Sequence, residues 1–168
     1  MKIGIVYYSR TGNTKKVAEI LEKKFKEQKA DVNLIEIEHV KRPGFFTAGR
    51  SAVKQLELPI KNTGFDLKNY DFIITGSPTW VGCPSPFIKT FINKAENVKD
   101  KNVAIFGTGI SPINSREKFK EILENSLKNV GFKTVDNFLP LRMKKGQIIE
   151  GEQNIDSFVE NILKNIKG

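Results

Sequence analysis

"IVYYSRTGNTKKVAEIL", residues 5–21, joins three patterns in one segment. A β-branched and aromatic run ends at Tyr8, small or polar residues fill Ser9 to Thr14, and apolar residues then recur at helical spacing. The run "KIGIVYY" has the length and apolar density of a strand buried on both faces. Beyond the loop, Val17, Ile20, Leu21 and Phe25 fall at i, i+3, i+4 and i+8 and share one helix face. Strand, tight polar loop and amphipathic helix, in that order, make the opening half of a β–α–β unit.

The alternation continues outward from this unit. "DVNLIEIE" (31–38), "DFIITG" (71–76), "KNVAIFG" (101–107) and "FKTVDNFLPL" (132–141) read as further strands. "SPFIKTFINKAEN" (85–97), "SREKFKEILENSLKNVG" (115–131, with Gly131 as a C-cap) and "NIDSFVENILKNIK" (154–167) carry apolar residues at helical spacing. Five strands alternating with helices predict an α/β fold, a five-stranded parallel sheet with helices on both faces. The segment 39–69 breaks the rhythm. It is long for one connection, holds Phe45, Phe46, Gly49 and Arg50, and contains "FFTAGRSAVKQLEL", which suits a short helix.

The chain has 168 residues, the size of one domain, and a single domain over 1–168 is expected. Folding at that length hides roughly two-thirds of the surface. Cys83 is the one cysteine, so no internal disulfide forms and a reducing, cytoplasmic setting is expected. No segment approaches the roughly 20 apolar residues of a membrane span, and the short apolar N-terminus does not suit a signal peptide. The net charge of +9 comes largely from lysines that alternate with glutamates along helices, as on solvated faces. No basic tract interleaves with aromatics as a nucleic-acid platform requires. The charge suits an acidic partner.

In open parallel sheets ligands bind beyond the carboxyl ends of the strands. Three loops lie there. In "SRTGNT", Ser9, Thr11 and Thr14 offer hydroxyls, Asn13 an amide, and Gly12 a close backbone approach, all at a helix N-terminus with unpaired N–H groups. Such a pocket suits a phosphate. A single helix cap needs one of these residues, not the whole run. No G-x-x-x-x-G-K-[ST] and no G-x-G-x-x-G after the first strand is present, which excludes a P-loop and a dinucleotide fingerprint. In "GSPTWVGCPSPFIKTF" (76–91), the prolines predict a rigid, non-helical loop, and Trp80 in its middle suits a platform for a flat ligand. In "FGTGISPINSREKF" (106–119), Gly107 and Gly109 leave the strand end open, and Ser111, Asn114 and Ser115 are expected to supply polar atoms and a helix cap.

Together, "YYSRTGNT", "GSPTWVG" and "GTG" resemble the flavodoxin-like FMN-binding proteins, along the whole chain. The resemblance implies a three-layer sandwich with strand order 2-1-3-4-5 and FMN as cofactor. It implies that Ser9, Thr11, Gly12, Asn13 and Thr14 hold the FMN phosphate, with Arg10 adding charge at a variable position. Ser77, Pro78, Thr79, Trp80, Val81 and Gly82 would form the second loop, with Trp80 over one face of the isoalloxazine. Thr108, Gly109 and Ile110 would line the pyrimidine edge. Electron-carrier flavodoxins usually have an acidic face and an aromatic in the third loop, and "GTGISPINS" has no aromatic. The outer face of the flavin is therefore expected to be open, or covered by Phe45 or Phe46 or by a partner subunit in a homodimer. The reading favoured from sequence is a flavodoxin-type electron carrier docking on an acidic redox protein. The alternatives are an NAD(P)H-dependent FMN or quinone reductase, and a flavin-free binding domain on the same scaffold. A basic protein is expected to disfavour the anionic, fully reduced flavin less than an acidic flavodoxin does.

Two other residues are read as structural. Cys83 is expected to be a small buried side chain. His39, the one histidine, has no second ligand at metal spacing and is expected in a solvated or loop role.

Overall fold

The computed structural model of the chain describes residues 1–167. Its main sheet contains β1 (Lys2–Tyr7), β2 (Asp31–Glu36), β3 (Phe72–Trp80), β4 (Asn102–Gly109), β5 (Lys133–Lys144) and β6 (Gln147–Glu150). The strands lie in the order β2-β1-β3-β4-β5-β6. The first five are parallel, in the expected order 2-1-3-4-5. β6 is an addition to the five strands expected. It folds back antiparallel on β5 through a turn at Lys145 and Gly146, both at positive φ (49° and 76°), the backbone that a two-residue hairpin requires. "FKTVDNFLPL" therefore understates a strand that runs on to Lys144.

Helices α1 (Asn13–Glu27) and α5 (Ile155–Lys167) cover one face, and α3 (Pro86–Lys94) and α4 (Glu117–Asn129) the other. The pleat of β1 shows why the strand reads as continuously apolar. Ile3, Ile5 and Tyr7 pack under α1 and α5, while Val6 and Tyr8 pack under α3 and α4. On α1, Val17, Leu21 and Phe25 are the buried stripe that the spacing predicts. Cys83 is fully buried.

The long segment 39–69 is tied down along its length. It contains α2 (Phe45–Val53), whose Ala48, Ser51 and Ala52 are buried. Farther on, Leu58 N–H donates to Thr90 Oγ1 at 3.0 Å and Leu58 O accepts from that hydroxyl at 2.7 Å. Phe65–Asp66 then forms a two-residue parallel ladder with Ala95–Glu96. Among the described residues, no helix is long and apolar enough to cross a membrane.

Phe106 sits at the centre of β4, fully buried, with its ring against the backbone of Gly76 in the neighbouring strand. Phe106→Ala is expected to lower stability by about 3–5 kcal/mol in urea unfolding. A loss well under that range would show that the sheet closes around the missing ring.

Candidate functional site

The three loops converge at the carboxyl ends of β1, β3 and β4, as the topology requires. In the first, Gly12 sits left-handed (φ 87°) at the start of α1. The Ser9 hydroxyl accepts from the N–H of Gly12 at 3.1 Å and of Lys15 at 3.2 Å. The first intrahelical bond to Gly12 O comes from Lys16 N–H at 2.9 Å, so Asn13 and Thr14 have N–H groups that the helix itself does not satisfy. No acidic residue occupies the first turn. Positive helix-end potential and free donors suit an anion. Thr14 points inward, and its Oγ1 lies 2.8 Å from Thr108 Oγ1, tying the first loop to the third.

The second loop is non-helical, as its prolines predict, and takes the form of a β-hairpin. β3 continues through Thr79 and Trp80, turns at Val81 and Gly82 (φ 52° and 75°) and returns as Cys83–Pro84. Ser77 fixes its base: the Oγ accepts from Ser85 N–H at 2.9 Å. Ser85 then caps α3, with Pro86 in its first turn. Trp80 is held edge-on by Tyr8, with centroids 5.8 Å apart, and Tyr8 is tilted against Phe87 at 4.4 Å. His39 is drawn into this cluster, its Nδ1 3.5 Å from the Tyr8 hydroxyl. It lies in the connection after β2, in the loop role expected of it, but is half-buried rather than solvated.

The third loop carries a residue that sequence reading misses. None of Ser111, Asn114 and Ser115 caps α4, because Ile113–Ser115 form a short 3-10 turn and Arg116 takes the N-cap position with no side-chain cap bond. The Arg116 side chain turns inward instead and is 1% exposed. It donates to Thr79 Oγ1 and, at 2.9 Å, to Ser111 O, so it bridges the second and third loops. Gly109 makes room for it: a Cβ there would stand 2.7 Å from the guanidinium. Burial pulls the Arg116 pKa below its ordinary value, partly opposed by Glu150. The sequence signal is "SRE" at a helix start, which reads equally well as a solvated turn.

Arg10 fills the space between the first two loops. Its guanidinium lies 4.3 Å from the Phe45 ring centroid and 5.5 Å from that of Trp80. Its Nε and Nη1 are buried with no hydrogen-bond partner. Phe45 and Phe46 are 82% and 84% exposed at the start of α2, and Ile110 is 80% exposed in the third loop. A cavity of about 200 Å³ lies among Arg10, Phe45, Ala48, Gly49, Trp80 and Val81. It shares Phe45, Gly49 and Val81 with a cleft of about 570 Å³ along α2 that reaches Arg50 and Lys54. Thr11 and Pro78 lie on the same loops, at the exposed rim and at the half-buried end of β3.

The family model of NADPH-dependent FMN reductases matches residues 1–141. A flavodoxin of Synechocystis sp. is 27% identical over 140 residues, covering 80% of this chain and 68% of that protein. The crystal structure of a flavoprotein in complex with FMN from Lactobacillus acidophilus NCFM has a TM-score of 0.65 at 23% identity, over 94% of this chain and 97% of that one. A flavodoxin from the domain Archaea has a TM-score of 0.63 at 19% identity, over 100% of both chains. At such identities these two structures show the shared flavodoxin-like fold.

The local geometry has measurable consequences at Ser9 and Tyr8. Ser9→Ala removes the acceptor for two N–H groups and is expected to cost about 0.5–2 kcal/mol in thermal or urea unfolding. No loss would mean that water replaces the hydroxyl. Burial raises the phenol pKa values of Tyr7 and Tyr8, with Glu36 adding to the effect at Tyr7 and Arg10 opposing it at Tyr8. Unfolded tyrosines ionise near pH 10 while these stay protonated, so their contribution is complete below about pH 10 and is lost as pH rises beyond it. Tyr8→Phe is therefore expected to lose less stability than the natural chain between about pH 9 and pH 11. Equal losses would show that Tyr8 is not one of the groups responsible.

Proposed function

The chain belongs to the NADPH-dependent FMN reductase family, and we propose that it binds FMN non-covalently across the three loops and accepts hydride from a reduced nicotinamide. The residues fit the cofactor. The unsatisfied first-turn N–H groups of α1, with Thr11, Asn13 and the Ser9 hydroxyl beside them, supply donors for the phosphate. Trp80, braced by Tyr8, supplies a flat apolar surface for the ring. Arg10, with unpartnered Nε and Nη1 beside Trp80, would supply a charged donor for the phosphate. Ser77, Pro78, Val81 and Gly82 shape the second loop; Thr108, Gly109 and Ile110 line the pyrimidine edge. FMN supplies the redox chemistry when bound, as acceptor of a hydride or of single electrons. The protein orients it, excludes water from one face and sets its electrostatics.

One observation carries the reductase reading: the apolar cleft beside Trp80, walled by Phe45, Phe46, Val53 and Val81 and open to solvent. With Ile110 rather than an aromatic in the third loop, it offers a second planar molecule access to the site. The 27% identity to a flavodoxin and the net charge of +9 favour a second reading, a one-electron carrier that docks on an acidic redox protein.

Anaerobic mixing of the FMN-loaded protein with NADPH or NADH, followed by visible absorbance, decides between them. Direct two-electron bleaching within seconds is expected. No reaction with either nicotinamide, together with accumulation of one-electron-reduced flavin under dithionite, would favour the carrier. A protein that takes up no FMN would overturn both in favour of a flavin-free binding domain.

A further inference from the structure

Arg116 is the largest side chain buried to less than 2% exposure, and it is charged. A guanidinium remains protonated in a folded protein, and a buried cation without an anionic partner is costly. Its partners are the neutral oxygens of Thr79 and Ser111, and its Nε has no partner at all. Among the described residues no carboxylate forms an ion pair with it. Glu150 is engaged elsewhere, 3.9 Å from Arg142 and accepting from Ile113 N–H at 3.4 Å. This charge, with no ion pair and only the field of Glu150 to offset it, lies between Thr79 at the end of β3 and Gly109 at the end of β4.

We propose that Arg116 is the fixed counter-charge for the reduced cofactor, stabilising the anionic ring of fully reduced FMN over the oxidised form. The proposal rests on the FMN-binding reading but not on the choice between hydride acceptor and carrier. Two-electron reduction with uptake of one proton leaves one net negative charge on the ring, the electrons coming from the nicotinamide hydride or from dithionite. The oxidised ring is neutral, so a buried cation discriminates between the two states. The surface lysines differ in this respect: their field is screened by salt, whereas that of a buried charge is screened far less. Arg116 is a positioning residue as well, since its bonds to Thr79 and Ser111 hold the two loops together.

The test is the midpoint potential of bound FMN under dithionite, with the oxidised-FMN dissociation constant measured alongside. Arg116→Gln removes the charge and leaves one amide donor on a shorter side chain, so the affinity for oxidised FMN measured alongside reports any loosening of the loops. It is expected to lower the affinity for reduced relative to oxidised FMN at least tenfold, the scale on which one nearby charge shifts a titrating group. That ratio corresponds to a two-electron potential about 30 mV more negative. Arg116→Lys is expected to retain most of the ratio. Equal weakening of both redox forms by Arg116→Gln would make Arg116 a loop brace only and overturn the proposal. Should the variant fail to fold, the natural protein decides the same question. Its potential relative to free FMN is expected to hold from about 0.01 M to about 1 M salt, over which the Debye length falls from about 30 Å to about 3 Å. Collapse of the difference at high salt would assign the effect to surface charge and overturn the proposal. Failure of the natural chain to bind FMN would instead sink the functional reading.

Discussion

The hydroxyls of Thr14 and Thr108 meet at 2.8 Å, both 1% exposed, and the rest of the site depends on that contact. Thr14 lies in the first turn of α1 and Thr108 near the end of β4, so one buried hydrogen bond fixes that helix end against the third loop. β3 runs between β1 and β4 in the sheet, which sets the Trp80 hairpin between those two loops. Parallel pairing makes this arrangement unavoidable: the five parallel strands end at the same edge, and the loops after β1, β3 and β4 project from it. Buried polar pairs are rigid when satisfied and costly when broken, so the contact specifies one geometry.

Much of this is legible in the sequence because it rests on short-range patterns. Val17, Leu21 and Phe25 sit where the helical spacing puts them, and the continuous apolar run of β1 does signal burial on both faces. The "SRTGNT" segment is legible as the loop that opens α1, since its small and polar residues interrupt two apolar patterns. What cannot be read depends on long-range partners. Arg116 at a helix start gives no sign of turning inward; only the space left by Gly109 and the acceptors on Thr79 and Ser111 make it a buried bridge. His39 looks like a loop histidine until Tyr8 and Phe87 close around it. The Val81–Gly82 hairpin is hidden by prolines at 78 and 84, which do not prevent pairing in a ladder this short.

The site combines opposite electrostatic and apolar demands. Arg10 and Arg116 bring two cations toward it, one stacked on aromatics and one buried beneath the loops. Around them Phe45, Phe46, Val81 and Ile110 expose apolar surface that a folded chain normally hides. A planar cofactor with an anionic tail, the ligand proposed above, would satisfy both demands, with the tail at the helix end, the ring at Trp80 and the charge of reduction near Arg116.

The most direct measurement of this account is a calorimetric titration of the flavin-free protein with FMN and with riboflavin, which share the ring and differ in the phosphate. If the first-turn N–H groups of α1 bind the phosphate, FMN binds at least tenfold more tightly, since hydrogen bonds to a charged group contribute about 1.5–3 kcal/mol each. Equal affinity for the two would contradict the account, because the loop at residues 9–14 would then have no part in holding the cofactor.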